Sequence, residues 1–349
     1  MAFAGDASAN ITSTILFRLE TPAGSIRTFA SPYGGGGQVV GDNIGLNGIH
    51  RAVLWSAASP GGIDLHPAGL SVSSASATDG LHQVGSTYEA SNGDSHAALW
   101  SGTAASHTDL HPGGFSKSDA IGVFGGEQVG YVDSHAALWR GSASSHIDLH
   151  PVGYFGSYAF STDSIQQVGM TVNSGAGGRR AALWSGTSQS FIDLHPSGFS
   201  SSEARGVGGG QQVGLGYTSL PWENDQSHAL VWSGSSDSVV DLHRRDLFFD
   251  SRANATNGSV QVGIATEFEN GPLLAMLWYG SSTDLVNLSA FLTPNFFLHA
   301  IPASIDGDTV YGLAYGFDGQ TYAVAWHIPE PTTPMLLGAL CMLSGRRRS

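Results

Sequence analysis

The segment His96-Ala97-Ala98-Leu99-Trp100 is one member of a series. Ala-Ala-Leu-Trp returns at Trp139 and Trp184, and Ala-Val-Leu-Trp stands at Trp55. Leu-Val-Trp, Met-Leu-Trp and Val-Ala-Trp end at Trp232, Trp278 and Trp326. These seven tryptophans are 39 to 48 residues apart, and an average of about 45 is the spacing of four-stranded propeller blades. A second marker rises in step, a Val-Gly or Tyr-Gly pair ending at Gly41, Gly85, Gly130, Gly169, Gly214, Gly263 and Gly312. Of the eight tryptophans, Trp222 alone stands outside the pattern.

One repeat, residues 191–234, reads as short strands and turns. Phe191 to His195 alternates apolar and polar residues as a half-buried strand does, and Pro196-Ser197-Gly198 stops it. Ser202 to Val207 is a strand of small residues, Gly208 to Gly210 a tight turn, Gln211 to Leu215 the next strand, and His228 to Trp232 the fourth. Asp79-Gly80, Gly125-Gly126, Asn257-Gly258 and Asp306-Gly307 hold the same turn elsewhere and supply the positive φ of tight hairpins.

Four strands repeated seven times can close into a ring or stack as an open solenoid. The ends of the repeat array favour the ring. The last copy runs from Trp326 straight into Pro329-Glu330-Pro331 and lacks the Asp-Leu strand of the others, while Ile15 to Leu19 is a spare strand ahead of Ser25 to Ala30. Pairing the two leaves no exposed edge. The expectation is an all-β, seven-bladed β-propeller over residues 1–327, its N-terminal strand closing the last blade, and a short hydrophobic tail over 328–349. Six or eight blades and a solenoid are the alternatives. The Ala, Gly and Ser strands suit the crowded innermost position.

Composition agrees. The chain has 349 residues, 41% hydrophobic and 12% charged, too apolar for a disordered chain. Its 48 glycines read as hairpin turns and strand ends. Against 28 acidic residues stand 14 basic ones, Lys117 the sole lysine, for a net charge of −14. No basic face exists to neutralise phosphates, which excludes nucleic acid as a partner. The single cysteine, Cys341, allows neither an intramolecular disulfide nor a cysteine-based zinc site.

The order His-Ala-Ala-Leu-Trp, Asp-Leu, Ser-x-Ala-x-Gly-Val and Gly-Gln-Gln-Val-Gly resembles the HAF repeat, a family of probable extracellular repeats in bacteria. The resemblance covers residues from about 25 to 326 and is best around Trp100, Trp139 and Trp184. The family's usual Phe after His-Ala is Ala or Leu here, and the last two copies lack the His. It implies a surface or secreted propeller-like array without an assigned activity. The tail resembles a PEP-CTERM sorting signal: Pro329, Glu330 and Pro331, an apolar stretch from Met335 to Leu343, then Arg346, Arg347 and Arg348. That resemblance implies an exosortase-type partner, transient insertion in the inner membrane and removal of the tail. The apolar stretch is short against the roughly 17 to 25 residues of a spanning helix. Met1 to Asp6 has no basic or apolar signal region, yet Ala2-Phe3-Ala4 looks like the end of a signal peptide, so the true start is expected upstream.

Asp-Leu-His recurs at Asp64 to His66, Asp109 to His111, Asp148 to His150, Asp193 to His195 and Asp241 to His243. Residues two apart on a strand share a face. A metal site would need imidazoles converging on one point, whereas propeller symmetry spreads them at equal radius. The expectation is an Asp-His-Trp hydrogen-bond set inside each blade, with His96, His135 and His228 structural as well. No catalytic, cofactor-binding or metal-binding residue is expected. Where the repeat breaks, Tyr217 to Asp225 carries the odd tryptophan, and Trp222 with Glu223 and Asp225 forms a candidate sugar platform. Two further breaks, Arg244 to Asp250 and Phe291 to Phe297, read as loops capping blade edges. Together these features point to an exported bacterial surface or matrix protein, a non-enzymatic binding module facing polysaccharide. The alternative is a secreted propeller hydrolase or lyase.

Overall fold

The computed structural model describes residues 11–22, 24–31, 35–88, 94–173, 178–218 and 226–328. They form seven four-stranded antiparallel sheets arranged as a ring, the seven-bladed β-propeller expected from the repeats. The first blade consists of Ser25–Ser31, Val39–Gly45, His50–Ser56 and Ser59–Asp64, paired in that order from the axis outward. Five more follow the same meander. The seventh takes Phe297–Asp306, Thr309–Gly316 and Thr321–His327 from the end of the array and Thr12–Arg18 from its start. Registers from Thr12↔His327 to Arg18↔Tyr322 close the ring. Packing runs one residue beyond the expected boundary, since Ile328 is buried in the core of the last seam.

The seven tryptophans are fully buried, and each fills the seam toward the preceding blade. Trp139 packs on Val84, Leu99 and Leu110 of the second blade. Trp184 packs on Val129, Leu138 and Leu149, and Trp232 on Val168, Leu183 and Leu194. Trp55 completes the circle on Phe17, Leu313 and Ala323. Each indole takes roughly 200 Å² out of water, on the order of 5 kcal/mol. The Trp-to-Trp spacing of the sequence is therefore the spacing of the seams.

Seven glycines serve neither a hairpin turn nor a strand end. The Val-Gly marker lies in mid-strand, opposite the inner strand, where Gly130 pairs with Ala120 and Gly169 with Ala159. The inner strand carries a β-bulge directly after that alanine, between Ala120 and Gly122 and again between Ala159 and Ser161. The carbonyl just before that alanine points at the glycine whether or not a bulge follows. The first blade pairs Ala30 with Gly41 and Ser31 with Val40 without a shift and keeps the same close contact with the Phe29 carbonyl oxygen. A Cβ on Gly130 would lie 1.9 Å from the Asp119 carbonyl oxygen, and the contacts at the other six run from 1.9 to 2.3 Å. These glycines make room for backbone and turn nothing.

The outermost strand is also shorter than its sequence suggests, with Ile192–Asp193 paired where Phe191 to His195 was expected. Asp193 Oδ1 accepts the His195 backbone N–H at 2.9 Å and folds the chain out of the sheet.

Candidate functional site

At one rim of the ring the Asp-Leu-His segments join neighbouring blades. His111 Nε2 lies 3.1 Å from the Phe115 carbonyl oxygen and Nδ1 lies 2.9 Å from Ser118 Oγ, at the start of the next blade's inner strand. A carbonyl only accepts, so Nε2 carries the proton, and the Ser118 hydroxyl donates to Nδ1. Ser118 Oγ in turn accepts the Ala97 backbone N–H at 2.8 Å. His66 with Ser73, His150 with Ser157, His195 with Ser202 and His243 with Ser251 repeat the link at 2.7 to 2.9 Å.

The aspartates hold the third strand. Asp109 Oδ1 accepts the His111 backbone N–H at 2.8 Å, and Oδ2 lies 3.0 Å from His96 Nδ1. His135 with Asp148 and His228 with Asp241 do the same, while Arg51 and Arg180 occupy the position on Asp64 and Asp193. The two histidines of a repeat then stack: His96 on His111 at 4.0 Å, His135 on His150 at 3.9 Å and His228 on His243 at 4.1 Å. The Asp-His-Trp set is thereby corrected. The tryptophan takes no part, since Nε1 of Trp100, Trp139, Trp184, Trp232 and Trp278 has no hydrogen-bond partner among the described residues. The partner is a serine of the following blade, and the bond spans a seam instead of bracing one blade. Among the described residues no group of three or more His, Cys, Asp or Glu side chains could hold a metal ion.

Burial holds the imidazoles of His66, His107, His146, His150, His195 and His299 below the ordinary value of 6.5, and brings His243 to about 4. Between 6.5 and those lowered values the unfolded chain takes up protons that the ring refuses. Stability is therefore complete above 6.5 and is lost as the pH falls through that window. Asp119 opposes this, because burial pushes its carboxyl up to about 7 and the folded state binds that proton first. Asp119→Asn removes the opposing carboxyl, and in that variant the imidazoles act alone. Its urea midpoints are expected to be lower at about pH 4.5 than at about pH 7.5, and an equal or higher midpoint in acid would contradict the assignment.

At the opposite rim a glutamine ladder joins the blades. Oε1 of the buried Gln83, Gln128, Gln167, Gln212 and Gln261 accepts the N–H of the glycine after Trp-Ser or its variants, at 2.7 to 2.9 Å. Nε2 of Gln83, Gln167, Gln212 and Gln261 reaches back to Gln38, Glu127, Gln166 and Gln211 of the preceding blade. This function of the Gly-Gln-Gln-Val-Gly motif was missed in the sequence. The signal was there, a polar residue before every Val-Gly in the middle copies.

Between the rims the inner strands enclose an axial cavity of about 540 Å³. Ala77, Gly122, Ser161, Gly206, Ala255 and Ser304 supply the small residues expected around a channel. It opens at the glutamine rim, where Asp79, Asp163 and Asn257 use Oδ1 to cap their own hairpin turns.

Trp222, Glu223 and Asp225 lie outside the described residues, as do Pro329, Glu330, Pro331, Arg346, Arg347 and Arg348. The strands flanking the Trp222 insertion are paired out to Tyr217 and Ser227, and Thr218 N donates to the Gln226 carbonyl at 3.1 Å. The other breaks cap blade edges: Phe248 and Phe291 pack into seams, and Arg244 forks onto Asp246 at 2.7 and 2.8 Å. Among the described residues no helix is long and apolar enough to cross a membrane.

The fold and its repeated rims define a closed, seven-bladed β-propeller. No protein-family model matches the chain, and no curated protein matches it in sequence. Several solved structures are similar. A puromycin hydrolase superposes with a TM-score of 0.55 at 13% identity, over 87% of this chain and 53% of its own. A puromycin-hydrolyzing peptidase of Mycobacterium tuberculosis gives 0.54 at 13%, over 89% and 55%. An oligogalacturonate lyase from Vibrio parahaemolyticus gives 0.54 at 12%, over 95% of this chain and 97% of its own. The chain thus spans about half the length of the two puromycin-cleaving proteins and nearly all of the lyase. At these identities the likeness is one of fold.

Proposed function

We propose that this protein is an exported bacterial surface or matrix component, a structural and binding propeller sorted through its C-terminal tail by an exosortase-type enzyme. The observation that carries the reading is where the repeat's reactive side chains go: its His and Ser bind one blade to the next, and its Asp holds the strands of its own blade. A chain that spends its acid-base residues this way is built for rigidity. The resemblance of the tail to a PEP-CTERM signal and of the repeat to the HAF repeat supports the location, and the net charge of −14 suits a hydrated matrix.

Expression behind a cleavable N-terminal signal peptide, with residues 329–349 present, in an exosortase-bearing host is expected to place the protein outside the cell and to shorten it at the tail, as read by intact mass. Retention of the full mass inside the cell would contradict the sorting reading. In matrix polysaccharide binding, Trp222→Ala is expected to weaken retention by about tenfold, the worth of one aromatic platform. Turnover of the polysaccharide by the purified chain would instead favour a secreted hydrolase or lyase.

A further inference from the structure

The inner strands of the second to sixth blades share an alanine followed by a bulge. The residue before the bulge is alanine in Ala75, Ala120, Ala159, Ala204 and Ala253. The bulged residue that follows is Ser76, Ile121, Phe160, Arg205, Asn254 or, in the seventh blade, Ala303. A bulge leaves its extra residue out of the ladder and re-aims its side chain. Here Ile121, Phe160, Arg205, Asn254 and Ala303 all line the axial cavity. The bulged position carries a different residue in each of the second to seventh blades, as does the position two before it (Ser74, Asp119, Tyr158, Glu203, Arg252 and Ile301). In five of those blades the bulged residue faces the axis. Repetition of the scaffold does not require that variety.

The resulting wall is two-sided. Ile121 and Phe160, from the third and fourth blades, are apolar, and Phe124 stands half exposed at the mouth. Arg205 and Asn254, from the fifth and sixth, are polar: Glu203 holds the Arg205 guanidinium at 2.8 Å, and Asn254 Nδ2 donates to the Pro302 carbonyl at 2.9 Å. The mouth adds the carboxylates of Asp79, Asp163 and Asp306. Three carboxylates against one guanidinium, in a chain of net charge −14, disfavour an anion. The volume of 540 Å³ falls within the ~300–1,000 Å³ of small-molecule sites. A neutral molecule with a C–H face for Phe160 and hydroxyls for Arg205, Asn254 and the mouth aspartates matches this division.

We propose that the axial cavity is a binding site for a neutral mono- or short oligosaccharide, read by the bulged residues of the third to sixth blades. The proposal uses no residue of the Trp222 insertion or of the sorting tail and stands on the cavity alone.

Calorimetric titration of the full chain with a panel of neutral sugars (glucose, galactose, mannose, cellobiose, lactose and maltose), with glucuronate as the charged control, tests it. At least one neutral sugar is expected to bind, and glucuronate to bind it at least tenfold more weakly than its neutral parent. Phe160→Ala and Arg205→Met are each expected to weaken the neutral sugar by tenfold or more, and Trp222→Ala to leave it unchanged. Ile121→Trp, which fills the cavity without removing a polar partner, is expected to abolish binding while thermal unfolding is retained. Should either truncation unfold the chain, this filled variant alone decides. No binding by any neutral sugar, preference for glucuronate, or binding that survives Ile121→Trp would overturn the proposal. Sensitivity to Trp222→Ala with indifference to Ile121→Trp would place sugar at the insertion and overturn the cavity site.

Discussion

A chain lacking residues 1–18 is expected to lose cooperative folding and to run as large oligomers or aggregate on size exclusion. Thr12–Arg18 is the outermost strand of the last blade, and its loss bares the edge of Thr321–His327. An unpaired edge of this length is a template for other chains. The deletion also removes Phe17 from the seam that holds Trp55, Leu313 and Ala323, and Ile11 from the seam that holds Trp326. Two buried apolar side chains are worth about 3–6 kcal/mol together, a large part of the roughly 5–15 kcal/mol by which domains are stable. Because the defect is a missing strand, supplying it from the other end should repair it. Residues 11–19 fused by a short linker after Ile328 are expected to restore a monomer with a single urea transition. A truncated chain that stays monomeric with an unchanged midpoint would show that the ring does not depend on this closure.

Gly169→Ala is expected to be the most damaging single methyl added to the molecule, with Gly130→Ala and Gly214→Ala beside it. The new Cβ of Gly169 would lie 1.9 Å from the Tyr158 carbonyl oxygen and 2.9 Å from Ala159 Cα. Both atoms are backbone, held in the pairing of two strands, so relief means parting those strands. We expect a loss of about 3 kcal/mol or more, the upper range of overpacking in a core. Gly141→Ala is the control. Its φ of +79° penalises any side chain, but nothing lies within 4 Å of the added atom, and a cost of about 1 kcal/mol follows. Equal urea midpoints for the two variants would refute the close approach of the inner strand's carbonyl as the reason for the Val-Gly marker.

Blade number, strand order and ring closure were legible because each rests on a local pattern repeated seven times. Alternation marks the strands, glycine pairs mark the hairpins, and the missing Asp-Leu strand after Trp326 answers the spare one at Ile15 to Leu19. The tryptophans counted the blades because one indole fills each seam. The Asp-Leu-His segments were visible as a motif, yet their partners were not. His111 meets Ser118 across a turn and a seam, and Trp100, the residue it was expected to engage, has its indole nitrogen unpartnered.

What the chain states in one dimension is therefore its class: an acidic, all-β array of seven blades with a strand borrowed from the start to finish the end. The meaning of three of its repeated marks came from packing. The Val-Gly glycine answers a backbone carbonyl of the neighbouring strand, the histidine reaches the next blade, and the glutamine before Val-Gly reaches the preceding one. Periodicity reports which face of a strand a residue occupies, whereas these contacts depend on how two sheets are set against each other. The same holds for the axis. Ile121, Phe160, Arg205 and Asn254 stand 39 to 49 residues apart in sequence and meet around one cavity because a bulge in each inner strand turns them toward it.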